Sequence, residues 1–188
     1  PAGSDLAADA ELIKVEAWRC REILGRIAEG PERESEHSFL RRDLISMLRE
    51  AAANQKRAGI TITIDGGSAA GLEVVRRPEV VHGLTNLIEN AVDFAETEVM
   101  IEAEAGELEI RVRVLDDGPG FAHNVLGALG EPYVSSRSGG EGLGLGVFIS
   151  KTLLERTGGE MKASNRVNGG ASVEIVWPRQ VLAPKMVS

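Results

Sequence analysis

The sequence predicts an α+β fold, a two-layer α/β sandwich whose mixed, mainly antiparallel sheet is covered by helices on one side. Three observations carry this. Short runs with period-two alternation, such as Ile60, Ile62 and Ile64 set between Thr61 and Thr63, read as half-buried strands. Longer amphipathic stretches stand between pairs of such runs, and glycine-bearing turns separate the strands.

Taken in order, Leu6, Ala10, Ile13, Ala17, Cys20, Leu24 and Ile27 recur at alternating steps of four and three, a heptad seam on one helix from Leu6 to Ala28. Such a seam fits either bundle packing or an amphipathic helix lying on its own domain. Gly30-Pro31 stops it, and Glu32, Arg33, Glu34 and Glu36 form a solvated linker. These features divide the chain into a seam helix at 1–30, a linker at 31–38, a domain at 39–178 and a tail without pattern at 179–188.

Within the domain a helix is expected from Phe39 to about Arg57, with Leu40, Leu44, Met47, Leu48 and Ala51 on one face and Gly59 ending it. Strands follow at Ile60–Ile64 and Leu72–Arg76. Pro78, suited to a first helical turn, opens a helix to Ala95. Strands at Thr97–Ala103 and Leu108–Leu115 join through a hairpin turn at Ala105-Gly106-Glu107. A glycine-rich stretch precedes a helix at Leu145 to about Arg156. Strands at Glu160–Ser164 and Ala171–Trp177, separated by Asn168-Gly169-Gly170, close the domain.

The chain of 188 residues, 43% hydrophobic, has enough apolar content for a real core. A net charge of -8 argues against general affinity for nucleic acid or an anionic membrane, both of which need a clustered basic surface. The single cysteine, Cys20, excludes an internal disulfide framework and fits a reducing compartment. No apolar run is long enough to span a bilayer. The start at Pro1, without Met or a signal-like segment, reads as a piece of a longer protein.

Three stretches carry candidate chemistry. In LTNLIENAVDFA, residues 84–95, helical winding puts Asn86, Asn90 and Asp93 in one narrow polar sector and Leu84, Leu87, Ile88, Ala91 and Ala95 on the other side. In Asp116-Asp117-Gly118-Pro119-Gly120, an acid ending a buried strand presents a fixed acceptor beside backbone that a planar ligand can approach; by itself the pentapeptide equally reads as a tight turn. Gly139 to Gly146 leads into a helix, where free backbone N–H groups without an obstructing Cβ can cradle phosphates; a flexible linker has a similar composition.

Together and in this order, the stretches resemble the N, G1 and G2 boxes of sensor histidine kinases, at Asn86–Asn90, at 116–120 and at 140–146. Tyr133 in Glu131-Pro132-Tyr133 is similar to the F-box aromatic of that family, and Asn168-Gly169-Gly170 to its last glycine turn. The resemblance covers about residues 39–178 and extends to the ATPase superfamily that includes gyrase, heat-shock protein 90 and MutL, with its Bergerat-type ATP-binding fold. RCREILGRI at 19–27 and NAVDFA at 90–95 look closest to the redox-responsive RegB/PrrB/ActS kinases.

The resemblance implies ATP and Mg²⁺ as cofactors. It makes Asn90 the Mg²⁺ ligand through a hard amide oxygen, and Asp116 the acceptor of the adenine amino group, with Gly118 and Gly120 beside the base. Gly142, Leu143, Gly144, Leu145 and Gly146 would hold phosphates, and Arg137 would reach them from a lid at about Phe121 to Glu141 whose glycines predict several conformations. Asn86 stands where the ATP-hydrolysing relatives carry a water-activating glutamate. An amide takes no proton at neutral pH, which favours transfer over hydrolysis. Implied partners are ATP or ADP, a second protomer through the Leu6–Ile27 helix, and a response regulator. The implied location is the cytoplasmic side, with an inner-membrane sensor as parent.

Two departures stand out. Asp93 occupies a position where many of these kinases have Lys. The family's phosphoacceptor His is followed by an acid and then a Pro, and neither His37, His82 nor His123 fits; the 1–30 helix then reads as the second helix of the dimerisation bundle, with the His-bearing helix absent. Cys20 on the seam is either a small buried apolar residue or a redox switch, its thiolate favoured by Arg19 and Arg21. Two other functions share the boxes: a nucleotide-driven conformational module and a serine kinase of the anti-sigma type.

Overall fold

The computed structural model describes residues 41–122, 126 and 145–183. The seam helix with Cys20, His37, His123, Tyr133, Arg137, Gly142, Leu143 and Gly144 lie outside the described residues.

The first element corrects the expected helix from Phe39. Strand β1, Arg41–Asp43, pairs antiparallel with β3, Glu73–Val75, and helix α1 spans Leu44–Ala52. Asp43 sets the boundary: its carboxylate accepts from the Ser46 N–H at 2.8 Å and the Ser46 hydroxyl at 2.9 Å, an N-cap that fixes the helix start. At the other end the chain leaves the helix at Ala53, short of the expected Arg57. Leu44, Ile45, Met47, Leu48 and Ala51 are buried, so the shorter helix packs through Leu44, Met47, Leu48 and Ala51 of the expected face, while Leu40 lies outside the described residues.

Strand β2, Thr61–Asp65, runs parallel to β4, Glu98–Ala105, which turns back into β5, Glu109–Asp116. Ala105 still pairs with Ile110, so the hairpin turn begins at Gly106, whose N–H donates to the Glu109 carbonyl at 2.8 Å. β6, Glu160–Asn165, and β7, Ala171–Pro178, complete a five-stranded sheet in the order β2-β4-β5-β7-β6. Every pairing in it except β2 with β4 is antiparallel.

Alternation decides which face packs. Val99, Ile101, Ala103, Ile110, Val112, Val114, Val173, Ile175 and Trp177 are buried. The intervening residues form a charged face, where Arg113 meets Glu102 and Glu104 at 3.1 and 2.7 Å and Arg111 meets Glu109 and Glu174 at 2.6 and 3.5 Å. Helices α1, α2 (Pro78–Phe94) and α3 (Leu145–Arg156) contribute the other half of the core through Leu44, Leu48, Leu84, Ile88 and Leu154. Gly83 sets the approach of α2 to α3, because a Cβ there would lie 2.6 Å from Leu154 Cγ.

The segment after Pro178, expected to lack pattern, forms a single helical turn, α4, Arg179–Leu182, with Leu182 fully buried. One turn with one apolar anchor has no period to read. Arg179 holds it to the β4–β5 hairpin, donating its N–H to Leu108 O at 2.8 Å and Nη1 to Gly106 O at 2.6 Å. Nearby, the buried indole N–H of Trp177 donates to Thr157 Oγ1 at 3.0 Å, and that hydroxyl donates to Leu154 O at 2.6 Å, pinning the end of α3 to the sheet.

Candidate nucleotide site

Helix α2 organises the site. Pro78 occupies its first turn, where the missing N–H has no intrahelical partner to lose, and Leu84, Leu87, Ile88 and Ala91 bury its inner face. Asn86 and Asn90 are left partly exposed on the other side, and Asp93 is exposed. The Asn90 amide Nδ2 donates to the Asn86 carbonyl at 2.8 Å. That bond fixes the amide and turns its Oδ1, a hard oxygen acceptor, away from the helix backbone.

Gly146, in the first turn of α3, abuts this amide. A Cβ at Gly146 would stand 2.6 Å from Asn90 Nδ2 and 3.3 Å from Oδ1. The Gly146 carbonyl also accepts from the buried Ser150 hydroxyl at 2.9 Å, which ties down the helix start. The amide of the first stretch and the final glycine of the third are thus in contact. Leu145 opens α3 one residue earlier.

The 116–120 loop meets the same helix four residues further on. Gly118 is buried, and a Cβ there would lie 2.1 Å from the Phe94 carbonyl oxygen and 3.1 Å from Asp116 Oδ1. Asp116 is 5% exposed, and its Oδ1 accepts from the Gly118 N–H at 2.9 Å and the Ala171 N–H at 3.2 Å. Neither bond uses Oδ2, which leaves an acceptor for a ligand. Burial pushes the Asp116 carboxyl above its ordinary value, opposed by the two amide donors. Gly120 has φ +76° and a Cβ there would lie 2.8 Å from Asn165 Oδ1, so both glycines of this loop are required by close approach.

Four residues of this region have supporting roles that the sequence does not signal. Asp117, next to the buried acid, points the other way and accepts from the N–H groups of Glu96, Thr97 and Glu98 at 2.9 to 3.1 Å and from the Thr97 hydroxyl. Arg57 donates to the Val92 and Asp93 carbonyls at 3.2 and 2.6 Å, a cation at the negative end of α2. Arg166 Nη1 donates to the Asp116 carbonyl at 2.7 Å, and Asn165 bonds Phe121. Doubled aspartates were visible, but their opposite orientations follow from the strand alternation that buries the first.

The Thr97 hydroxyl, helped by three backbone N–H groups, holds the Asp117 carboxyl well below the usual carboxylate range. A depressed folded-state pKa gives stability that is present above the unfolded value, about 3.9, and lost as pH falls toward the folded one. Asp117→Asn is therefore expected to be less stable than the unaltered chain near neutral pH, by about 1 kcal/mol, since solvent screens this surface carboxylate. The gap should narrow on acidification below about pH 4. A gap independent of pH in thermal melts would contradict this role.

Could these residues hold a divalent cation? Among the described residues no group of three or more His, Cys, Asp or Glu side chains is placed to hold a metal. A single amide oxygen at Asn90 beside a glycine helix start suits Mg²⁺, which takes one or two protein ligands and completes its shell with phosphates and water.

Residues 75–181 match the family described as histidine kinase-, DNA gyrase B-, and HSP90-like ATPase. The chain is 40% identical to the sensor histidine kinase RegB of Cereibacter sphaeroides over 90% of its length, and spans 42% of that relative. It is 29% identical to the sensor protein FixL of Bradyrhizobium diazoefficiens over 68% of this chain and 26% of that one. Among solved structures, full-length ShkA in complex with AMPPNP aligns with a TM-score of 0.65 at 25% identity, covering 79% of this chain and 32% of that one. The catalytic domain of the histidine kinase ThkA shares the fold with a TM-score of 0.63 at 22% identity, over 74% of this chain and 94% of that domain. With Gly118 and Gly146 packed against one asparagine-bearing helix and more than half of the sequence matched, the chain belongs to the histidine kinase-, DNA gyrase B- and HSP90-like ATPase family.

Proposed function

We propose that this chain is the catalytic, ATP-binding part of a two-component sensor histidine kinase, which binds Mg-ATP and transfers the γ-phosphoryl group to a histidine on a bundle helix, from which a response regulator takes it. The observation that carries the proposal is the convergence on α2: Asn90 abuts Gly146, and Phe94, one turn later, abuts Gly118. Two curated relatives, 40% and 38% identical to this chain, are named sensor histidine kinases.

In this site Asp116 Oδ2 accepts the adenine amino hydrogen, and Gly118 and Gly120 leave the loop open to the base. Gly142, Leu143, Gly144, Leu145 and Gly146 hold the phosphates, with Arg137 and Tyr133 completing the pocket. Asn90 supplies the protein oxygen to Mg²⁺, which when bound neutralises phosphate charge and aligns the γ-phosphoryl group. Asn86 places an amide where hydrolysing relatives have a carboxylate. It can orient a group by hydrogen bonding, but it cannot deprotonate water. Catalysis then rests on positioning and electrostatics.

The domain at 39–178 would pair with a bundle whose second helix is residues 1–30, bringing two protomers together, with Cys20 on that seam as a candidate redox site. No helix among the described residues is long and apolar enough to cross a membrane. A cytoplasmic position beneath an inner-membrane sensor is part of the proposal.

The test is incubation of the chain with radioactive ATP and a separately prepared dimerisation bundle bearing the family's His. Label on the bundle, stable to alkali and lost in acid, is the expected result, with none on this chain alone. Alkali-stable, acid-labile label on this chain would refute the reading of its three His residues as non-acceptors, and absence of label on the bundle would contradict the transferase reading.

A further inference from the structure

The 116–121 loop is held from below by the turn between β6 and β7, and one side chain does this with an unusual economy of atoms. Asn165, the last residue of β6, accepts from the Phe121 N–H with Oδ1 at 2.7 Å and donates Nδ2 to the Phe121 carbonyl at 2.9 Å. A single amide thus satisfies both main-chain groups of one residue, much as a neighbouring strand would. Gly120, immediately before, fits over the same amide because it lacks a Cβ, and the Phe121 ring packs against the core.

Around this clasp the turn makes further bonds to the loop, through Arg166 Nη1 on the Asp116 carbonyl and the Ala171 N–H on Asp116 Oδ1. Gly170 fits beneath with φ +90°, where a Cβ would lie 2.0 Å from the Asp116 carbonyl oxygen. Asp116 is therefore fixed by Gly118, Ala171 and Arg166. Gly120 and Phe121 are fixed by Asn165, which is itself exposed and contributes little to the core.

We propose that Asn165 is a positioning residue for nucleotide binding, whose amide holds Gly120 and Phe121 as the rigid surface beside which the base lies. The proposal rests on the nucleotide site described above. Asn165 touches no ligand; its effect passes through the Phe121 backbone. Its consequence falls on the base side of the site, since α3 and Asn90 make none of these bonds.

The experiment is calorimetric titration of the full chain with ATP and with ADP, for the unaltered protein, Asn165→Ala, Asn165→Asp and Asn165→Ser, alongside thermal melts without nucleotide. Asn165→Asp keeps the shape but loses the donor and sets a negative oxygen against the Phe121 carbonyl. Ala and Asp variants are expected to bind ATP and ADP about tenfold more weakly, by the same factor for both nucleotides, with the melting temperature nearly unchanged. Ser, able to make one of the two bonds, should recover part of the loss. Should the Ala variant fail to fold, the isosteric Asp variant carries the same test. Unaltered affinity in the Ala or Asp variant, or a loss for ATP much larger than for ADP, overturns the proposal. Failure of the unaltered chain to bind ATP would instead refute the nucleotide site itself.

Discussion

Asn90→Ala is expected to abolish Mg-dependent nucleotide binding while leaving the circular dichroism spectrum unchanged. The amide lies on a partly exposed face of α2, and its one described bond goes to the carbonyl one helical turn back. Losing that bond costs at most about 1.5 kcal/mol, far less than a domain's stability. The functional loss is larger, because the Asn90 amide lies against Gly146 at the start of α3 and its Oδ1 takes no part in the bond to the Asn86 carbonyl, which leaves that oxygen for a cation. Mg-ATP affinity should fall about 100-fold, while ATP measured in the presence of a chelator binds the variant as it binds the unaltered chain. Equal Mg-ATP affinities in a calorimetric titration would sink the assignment.

Gly118→Ala is expected to do comparable damage by a different route. Its methyl would sit 2.1 Å from a backbone oxygen of Phe94, and a carbonyl at a helix end cannot rotate away as a side chain would. Relief requires the loop to part from α2. The Gly118 N–H is also one of the donors to Asp116 Oδ1, so the displacement unseats the buried acid. Overpacking of this kind costs about 1–3 kcal/mol, which thermal melts will register. Nucleotide binding should be lost with or without Mg²⁺, which separates this variant from Asn90→Ala. A folded Gly118→Ala protein that binds ATP normally would contradict the close approach.

Much of this architecture could be read along the chain because it is periodic. Ile60 to Ile64 alternates in the sequence and in burial, and the apolar side that helical winding predicts is buried at Leu84, Leu87, Ile88 and Ala91 of α2 and at Ala95 just past its end. The fold class follows from the order of such elements. What escaped was short or non-local. β1 is three polar residues, and it is a strand because Glu73–Val75 lies beside it, some thirty positions on in sequence. α4 is one turn with one buried leucine.

The candidate site divides in the same way. The glycines and asparagines of the proposed site form local patterns, and among the described residues Gly118 approaches Phe94 and Gly146 approaches Asn90 on α2. Tyr133, Arg137 and the first glycines of the third stretch lie outside the described residues. The supporting residues give no local pattern at all: Asp117 grips backbone about twenty positions earlier, Arg57 reaches thirty-six ahead, and Asn165 bonds back across forty-four. Asp93, grouped with the two asparagines by helical winding, is exposed near the end of α2, beside the carbonyl that Arg57 caps.

Three separated stretches are proposed to form one Mg-nucleotide site. Its most direct measurement is calorimetric titration of the unaltered chain with ATP, with Mg²⁺ and again with a chelator. Saturable one-to-one binding in the micromolar-to-millimolar range that weakens when Mg²⁺ is removed is expected. The absence of saturable binding with Mg²⁺ present, or an affinity indifferent to the metal, would contradict it.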